Sequence, residues 1–362
     1  MIHTPHLPGR TVLTTSGDQY LYFSGTDYLG MGHHPIFNTY LNEGMEKYGL
    51  HYGSSRNNSL RLVVYEEAES ALASFTGAPA ALFVSSGMWA GQLVMKEIEN
   101  VVFQSDNTRS ITYHYAPRVH PALWGKGYEA HSNDWPAWAV QVTEAILEDP
   151  GRVHIICADA IGSPWVEAFD FSLFSRLSTN KNVWFVIDDS HSLGVNGQDG
   201  KGIYQHLHTL SFYNLIVVSS LNKALGLPAG VVLGSKKTLH CLRQSAWFAG
   251  ASPPAPASVY ALQKFLQNGL YLSAYKTLQH HITYFSDCLK NKDLLTGITG
   301  YPVYCSHDPG LFIHLMSNHI FTSCFSYPSP DDAPVTRLAI SALHLKEDLD
   351  RLAKVCNLYP VS

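Results

Sequence analysis

The sequence predicts an α/β fold with a mainly parallel sheet, on three observations. Short apolar runs rich in Val and Ile recur at 81–84, 153–157, 183–187, 215–218 and 231–233, the length expected of strands covered on both faces. Helical stretches separate several of them, as parallel strands require. Each run also ends in small or polar residues: SSG, ADA, DDSH, SSLNK and GS. Ligands of open α/β sheets sit beyond the carboxyl ends of the strands, so these ends are where chemistry is expected.

The elements follow in order. Residues 1–50 are mixed, with turn signals at Gly30, Gly32 and Pro35. Over 66–75, Ala68, Ala71, Leu72 and Phe75 fall at the helical spacing of a buried stripe. Gly77 follows as a stop. The strand-like runs come next. A long helical stretch, 257–267 and then 271–289, reads as a bridge between domains. A strand over 335–340 and a helix over 346–356 read as a small α+β domain. The expected division is an N-terminal segment (1–45), a large domain (46–265), and an interdomain helix with a small C-terminal domain (266–362).

Composition narrows the function classes. The 362 residues are 46% apolar and 15% charged, with net charge -5 and no basic run. Nucleic-acid binding lacks its electrostatic footprint. The 19 histidines are scattered, without HExxH or CxxC, so no metal site is expected. Cys157, Cys241, Cys288, Cys305, Cys324 and Cys356 lie far apart and read as thiols in a reducing compartment. The opening MIHTPHLPGR has no apolar core of a signal peptide, and no run approaches a membrane span. A cytoplasmic protein with no membrane partner is the expectation.

Three strand ends carry candidate chemistry. Lys223 follows the run ending in VVSSLN. A partly desolvated lysine there can form a Schiff base with a carbonyl, although alone it reads first as a solvated loop lysine. In DDSHSLG, Asp188 could keep a pyridine nitrogen protonated and His191 could donate a hydrogen bond. In SSGMW, small residues precede a helix that starts near Met88, and such an N-terminus offers N–H groups to an anion. Each is weak alone, and each has a structural reading as strand–helix punctuation.

Their order and surroundings resemble the α-oxoamine synthase family of fold-type I pyridoxal-phosphate (PLP) enzymes, which includes 8-amino-7-oxononanoate synthase and 2-amino-3-ketobutyrate CoA ligase. The similarity runs from about Tyr22 to Leu352. YFSGTDYLGMGHHP resembles the family's N-D-Y-L-G-L-x-x-H-P. DDSHSLGVNGQDGKG resembles D-E-A-H-S-x-G-x-x-G-x-x-G-x-G. SSLNKALGLPAG resembles T-F-x-K-A-x-G-x-x-G-G. TRLAISALHLKEDLDRL resembles the family's closing R-I-S-x-S-A-x-H motif.

The resemblance implies an aspartate-aminotransferase-like fold, whose large domain holds a mainly parallel seven-stranded sheet. It implies that Lys223 carries PLP and moves the α-proton of a bound amino acid. Asp188 pairs with the pyridinium nitrogen, His191 meets the ring hydroxyl, and His120 (in RVHPALW) stacks on the ring. Ser163 approaches the ring oxygen. Gly87 and Met88 offer N–H groups to the phosphate, and Ser220 offers a hydroxyl. Arg337, seven residues before His344, takes the substrate carboxylate, which a guanidinium pairs with through two parallel bonds. A homodimer is implied as well.

The sequence departs from the pattern on the substrate side and at the shared phosphate contacts. Thr26 replaces the Asn before Asp27. Tyr65 stands where the family has a histidine after Ser59, Leu60 and Arg61. Phe248, Ala249 and Gly250, before Pro253 and Pro254, lack the hydroxyls of F-S-T-x-x-P-P. Met88 and Trp89 put bulk near the cofactor, and the arm before the entry motif is short. Three functions stay open. The first is decarboxylative condensation of a small amino acid with acyl-CoA or an acyl-carrier thioester, like 8-amino-7-oxononanoate synthase. The second is an aminotransferase or aldolase-type reaction on an amino acid. The third is a non-catalytic scaffold subunit of the same fold.

Overall fold

The computed structural model describes residues 2–104, 110–130, 134–326 and 331–360. The chain divides into two units. A sheet unit comprises residues 36–161 and 169–269, and a terminal unit comprises residues 1–35, 162–168 and 270–362.

In the sheet unit, apolar runs become strands because their side chains can be buried on both faces. The spatial order is Ala80–Val84, Gly230–Gly234, Asn214–Ser220, Val183–Asp188, Val153–Asp159 and Ile111–Tyr115. The last four are parallel to one another. Gly230–Gly234 runs antiparallel to both its neighbours. All seven residues of Val153–Asp159 and all six of Val183–Asp188 are buried, as expected of central parallel strands.

This sheet has six strands among the described residues, rather than seven. Beyond Tyr115 the chain leaves the sheet for a tight turn at Pro121–Leu123, and Trp124 stacks on Tyr128. Pro136 then opens the helix Trp135–Glu148. The outer strand Ile111–Tyr115 escapes a reading by hydrophobic runs, because four of its five residues are only half-buried.

The helix expected at 66–75 spans Val63–Thr76 and ends on Gly77 at φ 73°, the left-handed stop that glycine allows. It carries Glu69, which forms a buried pair with Arg56. Glu69 Oε1 accepts from Arg56 Nη1 (2.6 Å) and from the Phe83 N–H (2.7 Å), while Oε2 accepts from Nη2 (3.0 Å). This pair ties the loop, the helix and the strand Ala80–Val84 together. The Arg56 guanidinium also lies over the Tyr65 ring, 4.5 Å from its centre.

The terminal unit holds a four-stranded sheet in the order Thr296–Gly297, Val303–Ser306, Val335–Ala339 and Ser323–Phe325. A three-stranded sheet joins Thr11–Leu13, Gln19–Tyr22 and Ile320–Phe321. The entry motif and the closing motif meet here. Buried His344 stacks on Phe23, 4.0 Å between ring centres. Its Nδ1 accepts from Ser341 N–H (3.0 Å), so its Nε2–H donates to the Tyr22 carbonyl (3.0 Å). Burial pushes the His344 imidazole down to about 4, which keeps it neutral. Gly30, at φ 72°, approaches Leu343 so closely that a Cβ would lie 2.5 Å from its Cγ.

Removing Glu69 leaves a buried guanidinium without its carboxylate. Glu69→Ala is expected to cost about 3–5 kcal/mol, read as a lowered urea midpoint. The double replacement Arg56→Met with Glu69→Leu should lose markedly less, because it leaves no unpaired charge.

Candidate active site

The site begins with strand register. Asp188 ends its strand and pairs in parallel with Asp159 on one side and Val218 on the other. Both carboxyl groups are buried. Asp188 Oδ1 accepts from the Ser190 N–H at 2.9 Å. The turn after Asp188 carries His191, which is half-buried.

His120 is held from several directions. Its backbone N–H donates to Asp159 Oδ1 (3.3 Å) and Oδ2 (3.2 Å). Its ring Nδ1 accepts from the Ala122 N–H at 3.1 Å. That acceptor role requires an unprotonated Nδ1, so the approach of Nδ1 to Asp188 Oδ2 at 3.8 Å is a close contact of a neutral ring. Desolvation lowers the His120 pKa. The Asp188 charge opposes this, and the Lys223 charge adds to it. Gln92 grips the same turn, donating from Nε2 to the carbonyls of Pro121, Ala122 and Trp124 at 3.2, 3.1 and 3.0 Å. Gly91 permits this approach, since a Cβ there would lie 2.4 Å from the Ala122 carbonyl oxygen.

Lys223 lies in the bend after Asn214–Ser220 and is half-buried. Its charge acts on both His120 and Asp159, which places it in the same neighbourhood. Ser220 closes the other side. Its N–H donates to Ser190 Oγ at 2.7 Å, and its hydroxyl accepts from the Asn222 N–H at 3.3 Å.

The helix Gly87–Phe103 points its N-terminus at this end of the sheet. Ser86 caps it by accepting from the Trp89 N–H (3.1 Å), and Ala90 N–H bonds to the Ser86 carbonyl (2.9 Å). Helix geometry leaves over the first N–H groups, those of Gly87 and Met88. The turn fits only because two glycines lack side chains. A Cβ on Gly87 would lie 2.4 Å from Ser220 Cβ, and one on Gly230 would lie 2.0 Å from the Ser86 carbonyl oxygen.

Of the residues singled out in the sequence, Lys223, Asp188, His191, His120, Gly87, Met88 and Ser220 all lie in the sheet unit. Ser163 and Arg337 belong to the terminal unit. There, Ser163 precedes Pro164 through a cis peptide bond, and Cys305 Sγ donates to the Pro164 carbonyl at 3.0 Å. Arg337 pairs across its sheet with Cys305 and donates from Nη2 to the Tyr28 hydroxyl at 3.2 Å. Its buried Nε has no hydrogen-bond partner among the described residues. The sequence reading missed Asp159, Gln92 and Gly91. The ADA after a strand-like run was the available signal for Asp159. Nothing in the text around the other two marks them.

A family model described as Aminotransferase class I and II matches residues 19–355. The 8-amino-7-oxononanoate synthase of Fervidobacterium nodosum is 26% identical over 363 residues, covering 96% of this chain and 90% of the relative. Among solved structures, a serine palmitoyltransferase variant from S. paucimobilis with a bound PLP–myriocin aldimine reaches a TM-score of 0.80 at 14% identity, covering 99% of this chain and 91% of that one. The 8-amino-7-oxononanoate synthase of Francisella tularensis reaches 0.64 at 21% identity, covering 93% and 97%. These structural likenesses establish the fold.

Asp189, next to the site, gives a pH test of how dry this region is. Burial pushes its carboxyl from 3.8 up to about 7, helped by the Asp188 charge and opposed by the Ile203 N–H. Its Oδ1 has no hydrogen-bond partner among the described residues. A carboxyl whose pKa is raised on folding stabilises the fold fully below its unfolded pKa, and loses that contribution as pH rises through the folded value. Asp189→Asn should therefore gain on the parent as pH climbs from about 4 to about 7, towards a difference on the order of 4 kcal/mol. Urea midpoints measured at stepped pH check this. A parent that gains on the variant over that range would contradict it.

Proposed function

The chain belongs to the aminotransferase class I and II family; it is a PLP-dependent transferase, and we propose that it condenses a small amino acid with an acyl thioester, with loss of CO2. The observation that carries the reading is the gathering of Lys223, neutral His120 and the buried Asp188 carboxylate at the carboxyl ends of parallel strands.

The residues present fit the cofactor. A buried carboxylate suits a protonated pyridine nitrogen. A half-buried lysine suits covalent attachment. The turn at Ser86 and Gly87, packed where side chains would collide with Ser220 and the Ser86 carbonyl, suits a phosphate approaching backbone N–H groups. PLP, when bound, supplies an electron sink for the bond broken at the amino acid's α-carbon.

The protein's own groups then have distinct work. Lys223 anchors the cofactor and, once displaced by substrate, moves the α-proton as acid and base. Asp188 would face the ring nitrogen. His120 offers a neutral imidazole face for stacking, fixed by bonds at its N–H and its Nδ1. His191 donates to the ring hydroxyl. Gly87, Met88 and Ser220 take the phosphate. By resemblance, Ser163 meets the ring oxygen and Arg337 binds the substrate carboxylate. The Arg337 Nε buried without a hydrogen-bond partner among the described residues supports an anion as its missing partner.

The reading extends to a cytoplasmic homodimer. All six cysteines are free thiols, in keeping with a reducing compartment. No helix among the described residues is long and apolar enough to cross a membrane. Exposed Leu60, Val63 and Trp247 on the sheet unit suit a face that another protein surface covers.

With PLP, an amino acid and an acyl-CoA, thiol release should require both substrates. Lys223→Ala should abolish the visible absorbance of the loaded protein. Arg337→Ala should raise KM for the amino acid about 10- to 100-fold, the loss of a charged hydrogen-bonded pair, with little change in KM for the thioester. Amino transfer to a keto acid without thiol release would overturn the acyltransfer reading in favour of transamination. A parent protein that stays colourless with PLP would leave only the scaffold reading.

A further inference from the structure

Asp159 has no part in the chemistry just described, yet it sits in the middle of the site. It ends the strand Val153–Asp159, and parallel register sets it beside Asp188 on the next strand, with the two backbones about 5 Å apart. Both side chains are buried. Two carboxyls this close and this dry cannot both ionise cheaply, so one keeps its proton.

Geometry distinguishes them. Asp188 Oδ1 accepts from the Ser190 N–H in a single well-formed bond of 2.9 Å, an ordinary N–H···O length. Asp159 shares one donor, the His120 N–H, between its two oxygens at 3.3 and 3.2 Å. Those lengths exceed the roughly 2.7–2.9 Å of a charge-assisted bond.

We propose that Asp159 is a positioning residue that remains a neutral acid at neutral pH, holds His120 in place through its backbone N–H, and leaves Asp188 as the negative charge beside the cofactor ring. This rests on the reading that PLP binds here. The groups that face Asp159 agree with it. Burial raises its pKa well above the ordinary value, and the Asp188 charge raises it further. The His120 N–H and the Lys223 charge act the other way. Tyr128 faces it as well; burial raises that phenol first, and the Asp159 side chain adds to the shift.

Two variants of the PLP-loaded protein test it. Asp159→Asn is neutral and nearly isosteric. It should lose one protonated-carboxyl band from the infrared difference spectrum, while the pH midpoint of the cofactor's visible band stays within about 0.3 units. Asp159→Leu cannot accept the His120 N–H. It should weaken PLP binding to the apoprotein about tenfold or more, read by quenching of tryptophan fluorescence. A midpoint moved by about one unit in Asp159→Asn shows an ionised Asp159 and overturns the proposal, as does unchanged PLP affinity in Asp159→Leu. If the parent itself takes up no PLP, the functional reading falls and this one with it. If the parent binds PLP normally and either variant behaves otherwise than stated, this proposal alone falls.

Discussion

Parallel pairing of three neighbouring strands brings Asp159, Asp188 and Val218 to one level, and the site depends on that alignment. The strands of Asp159 and Asp188 end at this level, and each hands its chain to a turn that is bonded to the next strand, while the third runs on to Ser220. The Ala160 N–H donates to the Asp188 carbonyl at 2.8 Å, and the Asp189 N–H donates to the Val218 carbonyl at 2.7 Å. Ser190 Oγ then takes the Ser220 N–H. Lys223 follows three residues later, so its backbone is tied by a short chain of bonds to the strand that ends in Asp188. A slip of one residue in any of these strands would turn its side chains to the opposite face and dissolve the arrangement.

Close approach of backbones is the second constraint. Gly87 and Gly230 let the N-terminus of the helix Gly87–Phe103 settle against Ser220, and Gly91 lets the same helix touch the turn that carries His120. One helix therefore serves two purposes. Its first turn packs against Ser220, and Gln92, one turn along, fixes the turn after His120 through three carbonyls. The distance between those two places is set by helix geometry, which makes the helix a ruler for the site.

What the sequence revealed follows the same physics. Lys223, Asp188 and Gly87 stand next to apolar runs whose ends are recognisable, so their placement was readable from hydrophobic pattern and motif order. His120 was readable only through resemblance, because RVHPALW has no regular period. Asp159 was readable only as the polar residue of ADA at a strand end. Its significance comes from Asp188, 29 residues later in the chain and its direct neighbour in the sheet. The outer strand Ile111–Tyr115 was missed because ITYHY is half-exposed, and its alternating polar and aromatic residues do not make an apolar run. His344 was readable as part of a motif, yet its stacking on Phe23 and its bond to Tyr22 give it a structural task inside the terminal unit.

Two of the departures from the family pattern belong to one packed cluster. Tyr65, where a histidine stands in the pattern, is buried and donates its hydroxyl to the Pro254 carbonyl at 2.8 Å. Arg56 lies between the Tyr65 ring and the Phe248 ring, 4.5 and 5.6 Å from their centres. Ser55 Oγ donates to the Ala249 carbonyl at 2.8 Å. The segment from Phe248 to Pro254 is therefore fixed from beneath by its carbonyls and its ring, without the hydroxyls that the pattern carries there. Ser252 is its one side chain with a hydroxyl, and it stands outside the two positions where the pattern carries them. Under the proposed function, the hold on a phosphate then falls on the N–H groups of Gly87 and Met88 and on the Ser220 hydroxyl. These are contacts within a single sheet unit, and they rely on the glycine packing that shapes its first helical turn.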